Sequence, residues 1–134
     1  MSMINDHHID LAINIAARAD DLPHLVRVAS RFSGYTAQGI AGWLHDSVED
    51  GYATEEELRG LFPDEVVDIV MIVSRRDGET YDDFITRILE SGNSGAVDVK
   101  IIDLTVNLAR AKVDRFSHVP RYEKALNRLR NADF

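Results

Sequence analysis

Residues 96–112 read as a helix that is apolar nearly all round, with Val97, Val99, Ile101, Ile102, Leu104, Val106, Leu108 and Ala109 spread over its circumference. A helix of that kind is buried. The rest of a 134-residue chain must therefore be arranged to enclose it. Three polar residues interrupt it: Lys100, Asp103 and Asn107 share one narrow stripe, because positions three and four apart stack on one face. A carboxylate taken into a core needs a cation or strong donors. Asp103 is expected to meet a metal ion, or else a salt bridge to Lys100 or a nearby arginine.

The enclosing elements also read as helices. Ile4, His8, Leu11, Ile15 and Ala19 keep helical spacing. Asp21 suits a cap and Pro23 a first turn for the helix that runs through His24 to Phe32. Thr36 opens the next helix, and Thr54 with Glu57 has the form of a capping box. Residues 64–73 are β-branched enough to suggest a strand, but no partner strand is visible and the neighbours are helical. Tyr81–Leu89 is amphipathic, and Pro120 opens a last helix with Tyr122, Ala125, Leu126 and Leu129 on one face. The expectation is one all-α domain over residues 1–134, a compact bundle of seven or eight helices.

The composition removes several classes of function. A net charge of −8 with no block of lysine or arginine argues against nucleic acid or an anionic membrane as the partner. No apolar run reaches the ~20 residues of a membrane span, and the polar start, Met1-Ser2-Met3 followed by Ile4, Asn5, Asp6, His7 and His8, is not a signal peptide. The expected compartment is the cytoplasm. Without cysteine there is no disulfide, thiol nucleophile or thiolate zinc site. Any metal must be held by histidine and carboxylate, a set suited to manganese, iron, zinc or magnesium.

Residues 40–51 supply such a set. They read as a helix ending at Gly51, with Ile40, Ala41, Leu44 and Val48 on the core side and His45, Asp46, Glu49 and Asp50 opposite. Three acids crowded on one arc repel one another. A divalent ion is the simplest remedy, the plain alternative being a solvated acidic helix end. His24 begins an otherwise apolar helix and is either a ligand or a surface or capping residue. His7 and His8 lie near the start of the chain, and His118 precedes Pro120 in a loop.

The order His24, then His45-Asp46, then Asp103 resembles the HD-domain superfamily of metal-dependent phosphohydrolases. The segment from Leu44 to Asp50 is similar to one in which HD is followed by a Glu-Asp pair. Residues 99–107 are similar to a Val-Lys-x-x-Asp-x-x-x-Asn segment. Residues 23–29 resemble the helix of the first histidine, and Gly78-Glu79-Thr80-Tyr81 with Phe84-Ile85 recurs in small members. Within the superfamily, the Glu-Asp pair and the Asp-to-Asn spacing resemble the RelA/SpoT-type hydrolases, which use manganese to remove pyrophosphate from guanosine tetraphosphate. The resemblance implies that His24, His45, Asp46 and Asp103 hold one divalent metal, Mn2+ first among Mn2+, Fe2+, Zn2+ and Mg2+. A single ion is implied because no histidine lies between His45 and His118, where two-metal members carry more. Glu49 and Asp50 would orient and deprotonate water, and Asn107 would contact the substrate. One departure stands out: alarmone hydrolases carry a basic, aromatic stretch before the first histidine. Here residues 16–23 are short and acidic, and only Arg18 could take part of that role.

The leading expectation is hydrolysis of a phosphate or pyrophosphate ester of a small nucleotide-like substrate by metal-activated water. Arg75, Arg76, Lys100 and Arg27 are candidates to receive its negative charge. A homodimer is one expectation for the assembly. Two other readings stand beside it: a helical module that senses a nucleotide without turnover, and a metal-free interaction protein. A sensor has no need of an acid pair at Glu49 and Asp50, which favours the enzyme.

Overall fold

Short polar side chains set where the helices begin. In the computed structural model, which describes residues 4–114 and 119–132 (the side chains of 111–114 excepted), the main chain forms eight helices among the described residues. They are α1 (Asp6–Ala16), α2 (Leu22–Ala29), α3 (Ala37–Leu44), α4 (Glu55–Leu61), α5 (Asp64–Ile72), α6 (Tyr81–Glu90), α7 (Ser94–Asp114) and α8 (Val119–Arg130). Asn5, Asp21, Thr36, Thr54 and Thr80 each accept a hydrogen bond from a first-turn amide, which satisfies donors that a helix start leaves free. At Thr54 the expected capping box is only half made. The Glu57 amide bonds to Thr54, but the Glu57 carboxylate turns away to a bidentate pair with Arg18, at 3.1 Å for each contact. Residues 64–72 are helical despite their β-branched content. The expected all-α bundle is what the chain forms. His118 and Met1-Ser2-Met3 lie outside the described residues.

Two apolar clusters meet along α7. Ala96 and Val99 pack with Ile15 of α1, Ile40 and Leu44 of α3, and Val66 and Val70 of α5. Val97 and Leu104 pack with Phe84 and Ile88 of α6 and Leu126 and Leu129 of α8. Ile72 lies against both clusters. The expectation that α7 is buried all round does not hold: Ala96, Val97, Val99, Lys100, Asp103 and Leu104 are buried, but Asp98 is exposed. Ile101, Ile102, Val106 and Leu108 are half-buried and Ala109 is exposed, because helices cover α7 from two sides and leave its later turns partly open.

The helix expected to run to Gly51 stops at Leu44. His45 causes the change: its Nδ1 lies 2.8 Å from the Gly42 carbonyl, the acceptor that the Asp46 amide would use in a continuing helix. The next turn is tighter, with the Ser47 amide on the Leu44 carbonyl at 2.8 Å. One further helical turn follows, Asp50 amide to Asp46 carbonyl at 2.9 Å, and Gly51 then reverses the chain at φ 79°. A positive φ of that size suits glycine, so the expected stop at Gly51 marks the end of the turns rather than of the helix.

The segment between α5 and α6 is pinned by Arg87. Its guanidinium donates to the Ile72 and Ser74 carbonyls at 3.0 and 2.8 Å and to both carboxylate oxygens of Glu79 at 2.8 and 3.1 Å. Glu79 also accepts the Arg76 amide at 3.1 Å. These donors, the Arg87 hydrogen bond above all, hold the Glu79 carboxyl below its ordinary value against the opposing effect of burial.

Two outcomes follow. A Cβ at Gly42 would stand 2.8 Å from the Ala29 Cα, where backbone meets backbone between α3 and α2. Gly42→Ala should therefore cost about 1–3 kcal/mol in chemical denaturation. Gly60→Ala, with nothing within 4 Å of the added Cβ, should cost nothing and serves as the control. Glu79→Gln should cost about 1.5–3 kcal/mol at pH 7, the scale of hydrogen bonds to a charged group. Because the folded-state pKa of Glu79 is depressed, the wild-type advantage is present above the ordinary glutamate value of 4.5 and fades as pH falls through the folded value. Denaturation at pH 7 and pH 3 should show the gap between wild type and Glu79→Gln closing.

Candidate metal centre

Three elements bring the histidines and acids together. His24 stands in the first turn of α2, its amide bonded to the Asp21 cap at 3.3 Å, and its side chain is buried rather than at the surface. His45 and Asp46 follow the end of α3. The close approach of α2 and α3 at Gly42 and Ala29 sets the distance between the two imidazoles. Asp103 comes from the middle of α7, 5% exposed.

The donor atoms cluster around the Nε2 atoms of the two imidazoles. His24 Nε2 and His45 Nε2 are 3.3 Å apart. Asp103 Oδ1 lies 2.8 Å from His24 Nε2 and 3.3 Å from His45 Nε2, and Asp46 Oδ1 lies 3.4 Å from His45 Nε2. His24, His45 and Asp46 form a group whose ligand atoms all lie within 4.8 Å of one another, and which could hold a metal ion. Ligand atoms bound at about 2.0–2.2 Å to one ion stand roughly 2.8–3.6 Å from their neighbours. His45 Nε2 has that spacing from His24, Asp46 and Asp103, as does His24 Nε2 from Asp103, while Asp103 stands outside the three-residue group. The tautomer of His45 suits ligation, because a proton on Nδ1, donated to the Gly42 carbonyl, leaves Nε2 with its lone pair facing the cluster. Nδ1 of His24 is buried and has no hydrogen-bond partner among the described residues.

Charge balance in the cluster is tight. Lys100 donates to Asp103 Oδ2 at 2.9 Å, and the Asn107 amide donates to Oδ1 at 3.1 Å. Burial opposes ionisation of Asp103, but Lys100 and then His45 outweigh it and hold its carboxyl well below the usual range. Burial likewise disfavours charge on His45, yet Asp103 and Asp46 raise its pKa to about 9. These carboxylates therefore favour a proton on His45. The ion pair expected of Asp103 with Lys100 is thus present on one carboxylate oxygen, and the other oxygen faces the histidines.

The remaining candidates divide by position. Glu49, Asp50, Asn107, Lys100 and Arg75 line one cavity of about 330 Å3 with the donors. Glu49 accepts the Arg75 amide at 2.6 Å, so this acid is tied to the segment that Arg87 braces. Burial, with Asp46 and Glu49 close by, pushes the Asp50 carboxyl above its ordinary value. Lys100 and Asn107 spend their donors on Asp103. Arg18 does not line this cavity; its guanidinium goes to Glu57 and the Tyr52 carbonyl. Arg27 lies elsewhere, and Arg76 lines neighbouring hollows beside Arg75.

Sequence reasoning missed Arg110 and Arg121 as cavity residues. Arg110 donates to Asp21 at 2.7 Å, and the Arg121 guanidinium lies 4.4 Å from the Tyr81 ring centre. Arg110 could have been found by extending the Lys100, Asp103, Asn107 stripe one more turn. Arg121 depends on how α8 docks, which no local pattern records. The cavity lining therefore mixes acids, Asp21, Asp46, Glu49 and Asp50, with the arginines Arg75, Arg110 and Arg121. No helix among the described residues is long and apolar enough to cross a membrane.

Comparison with protein-family models and with curated proteins finds no match for this chain.

The buried pair gives a direct test of this balance. Lys100→Met leaves the Asp103 carboxylate without its closest cation and should cost about 3 kcal/mol, the scale for breaking a buried pair. Adding Asp103→Asn to Lys100→Met should restore part of that loss. Denaturation midpoints across the four-member cycle measure the coupling.

Proposed function

We propose that this protein is a metal-dependent phosphohydrolase of the HD type, acting on a phosphate or pyrophosphate ester of a small nucleotide-like substrate. The observation that carries the reading is the grouping of His24, His45 and Asp46 within 4.8 Å, with Asp103 against both imidazoles, in a cavity also lined by Glu49, Asp50 and three arginines. The resemblance of residues 23–29, 44–50 and 99–107 to the HD superfamily supports the same class.

His24, His45, Asp46 and Asp103 would hold one divalent ion, with manganese the first choice for this mixture of imidazole and carboxylate. When bound, such an ion lowers the pKa of water and polarises a phosphoryl oxygen. The chain supplies the rest. Lys100 and Asn107 fix the Asp103 carboxylate, so its Oδ1 stays aimed at the histidines. Of the acid pair, Glu49 is held by the Arg75 amide, which leaves Asp50 as the carboxylate free to take a proton from water. Arg75 and Arg121, both beside the Tyr81 ring, present guanidinium groups to substrate phosphate oxygens. Arg110, held by Asp21, can add a third.

The test separates binding from turnover. Protein purified without chelators and supplied with manganese should carry about one transition metal per chain by elemental analysis, and Asp46→Ala and Asp103→Ala should lose it. Asp50→Asn should keep the metal while hydrolysis of guanosine tetraphosphate or a related nucleotide falls by about 100-fold or more, as expected for removal of a general base. Absence of metal from the supplied wild type would overturn the reading. Metal with nucleotide binding and no turnover in any protein of the series would favour the sensor.

A further inference from the structure

A second cavity, of about 470 Å3, lies along the seam between α2 and α7. Arg27, Ser30 and Arg31 form one side, and Thr105, Val106, Ala109 and Arg110 form the other. Its size falls within the range that takes a small-molecule ligand. Arg110 lines both this groove and the cavity of the donor cluster, whereas Arg27 and Arg31 line the groove and not that cavity.

The charge in the groove is unusual for this chain. Acids outnumber bases 23 to 15, yet three arginines and no acid line the groove. Several other arginines are paired with acids, Arg18 with Glu57, Arg59 with Glu55, Arg87 with Glu79 and Arg128 with Asp82, and within the groove Arg110 is paired with Asp21. The side chains of Arg27 and Arg31 make no ion pair or hydrogen bond among the described residues, although they sit four apart, where like charges repel. Two ordinary explanations fall short. The C-terminal dipole of α2 favours a cation in its last turn, but Arg27 alone satisfies that. Solubility does not call for cations here, since each one lowers the magnitude of a net negative charge. The two hydroxyls do not help to hold the arginines either. Ser30 donates to the Arg27 carbonyl and Thr105 to the Ile101 carbonyl, which leaves the guanidinium groups of Arg27 and Arg31 as the uncommitted donors.

From these observations we infer that the Arg27–Arg31–Arg110 groove is a binding site for a phosphate-bearing small molecule, distinct from the donor cluster. Guanidinium forks match phosphate oxygens two at a time. Val106 and Ala109 offer the ligand's less polar part an apolar surface, as mixed pockets of this kind do. The inference does not rest on the hydrolase reading, because no residue of the donor cluster lines the groove.

The test uses the full chain carrying Asp46→Ala, which disables the donor cluster, titrated with inorganic pyrophosphate. Amide chemical shifts are expected to move saturably at residues 27–31 and 105–110. Adding Arg27→Gln and Arg31→Gln should weaken binding by at least about tenfold, given the usual strength of hydrogen bonds to charged groups. Arg27→Lys with Arg31→Lys, which keeps charge and removes the fork, should give an intermediate loss. Arg130→Gln, an exposed α8 arginine outside the groove, should leave the affinity unchanged. Pyrophosphate binding that persists in the double glutamine variant would place the ligand against Arg75 and Arg121 and overturn the inference. So would a loss of equal size in Arg130→Gln, or shifts that never saturate.

Discussion

A carboxylate inside a helical core governs this molecule. Asp103 sits on the central helix at a depth where ionisation is unfavourable unless several groups meet it. Four do: Lys100 at 2.9 Å, His24 at 2.8 Å, Asn107 at 3.1 Å and His45 at 3.3 Å. Two of these partners come from α7 itself, and two are delivered by α2 and by the chain following α3. Helix packing and charge satisfaction are therefore one problem. The α2–α3 contact at Gly42 and Ala29 is what lets both imidazoles reach the same oxygen.

That arrangement explains how a site of this polarity survives in a core. Asp103 and Asp46 favour a protonated His45, and an ion held by the same group would bring more positive charge. Metal affinity would then depend on displacing a proton, as for most imidazole and carboxylate sites. Lys100 is best understood in this light. Its ammonium is an internal counterion for Asp103.

Much of this was legible in the sequence, and what was not had a physical reason. The α7 stripe of Lys100, Asp103 and Asn107 was visible because helical periodicity survives any tertiary arrangement. The caps at Asp21, Thr36 and Thr54 were legible for the same local reason. The early end of α3 was not, since it turns on one imidazole taking the Gly42 carbonyl, and periodicity cannot see a side chain competing for a backbone acceptor. Arg18 read as the one residue before the first histidine that could take part of the nucleotide-gripping role. It is bound instead to Glu57, 39 positions away, a partner that only the packing of α4 provides. Arg121 was silent for the mirror-image reason, brought to the cavity by a helix near the far end of the chain.

The distribution of arginines resolves how an acidic protein could handle an anion. Net charge acts at long range and is screened beyond about 8–10 Å at physiological ionic strength, whereas a phosphate in a cavity feels the groups that line it. Here Asp46, Glu49 and Asp50 share the cavity lining with Arg75, Arg110 and Arg121. On the proposed reading, these arginines are the groups in the cavity that would meet the charge of a phosphate ester. Arg110 stands where this cavity and the α2–α7 groove share a residue, held by Asp21 at 2.7 Å. A guanidinium in that position can be drawn by anions on either side. Its ion pair with Asp21, which lies at the protein surface, is weak enough to yield to a phosphate.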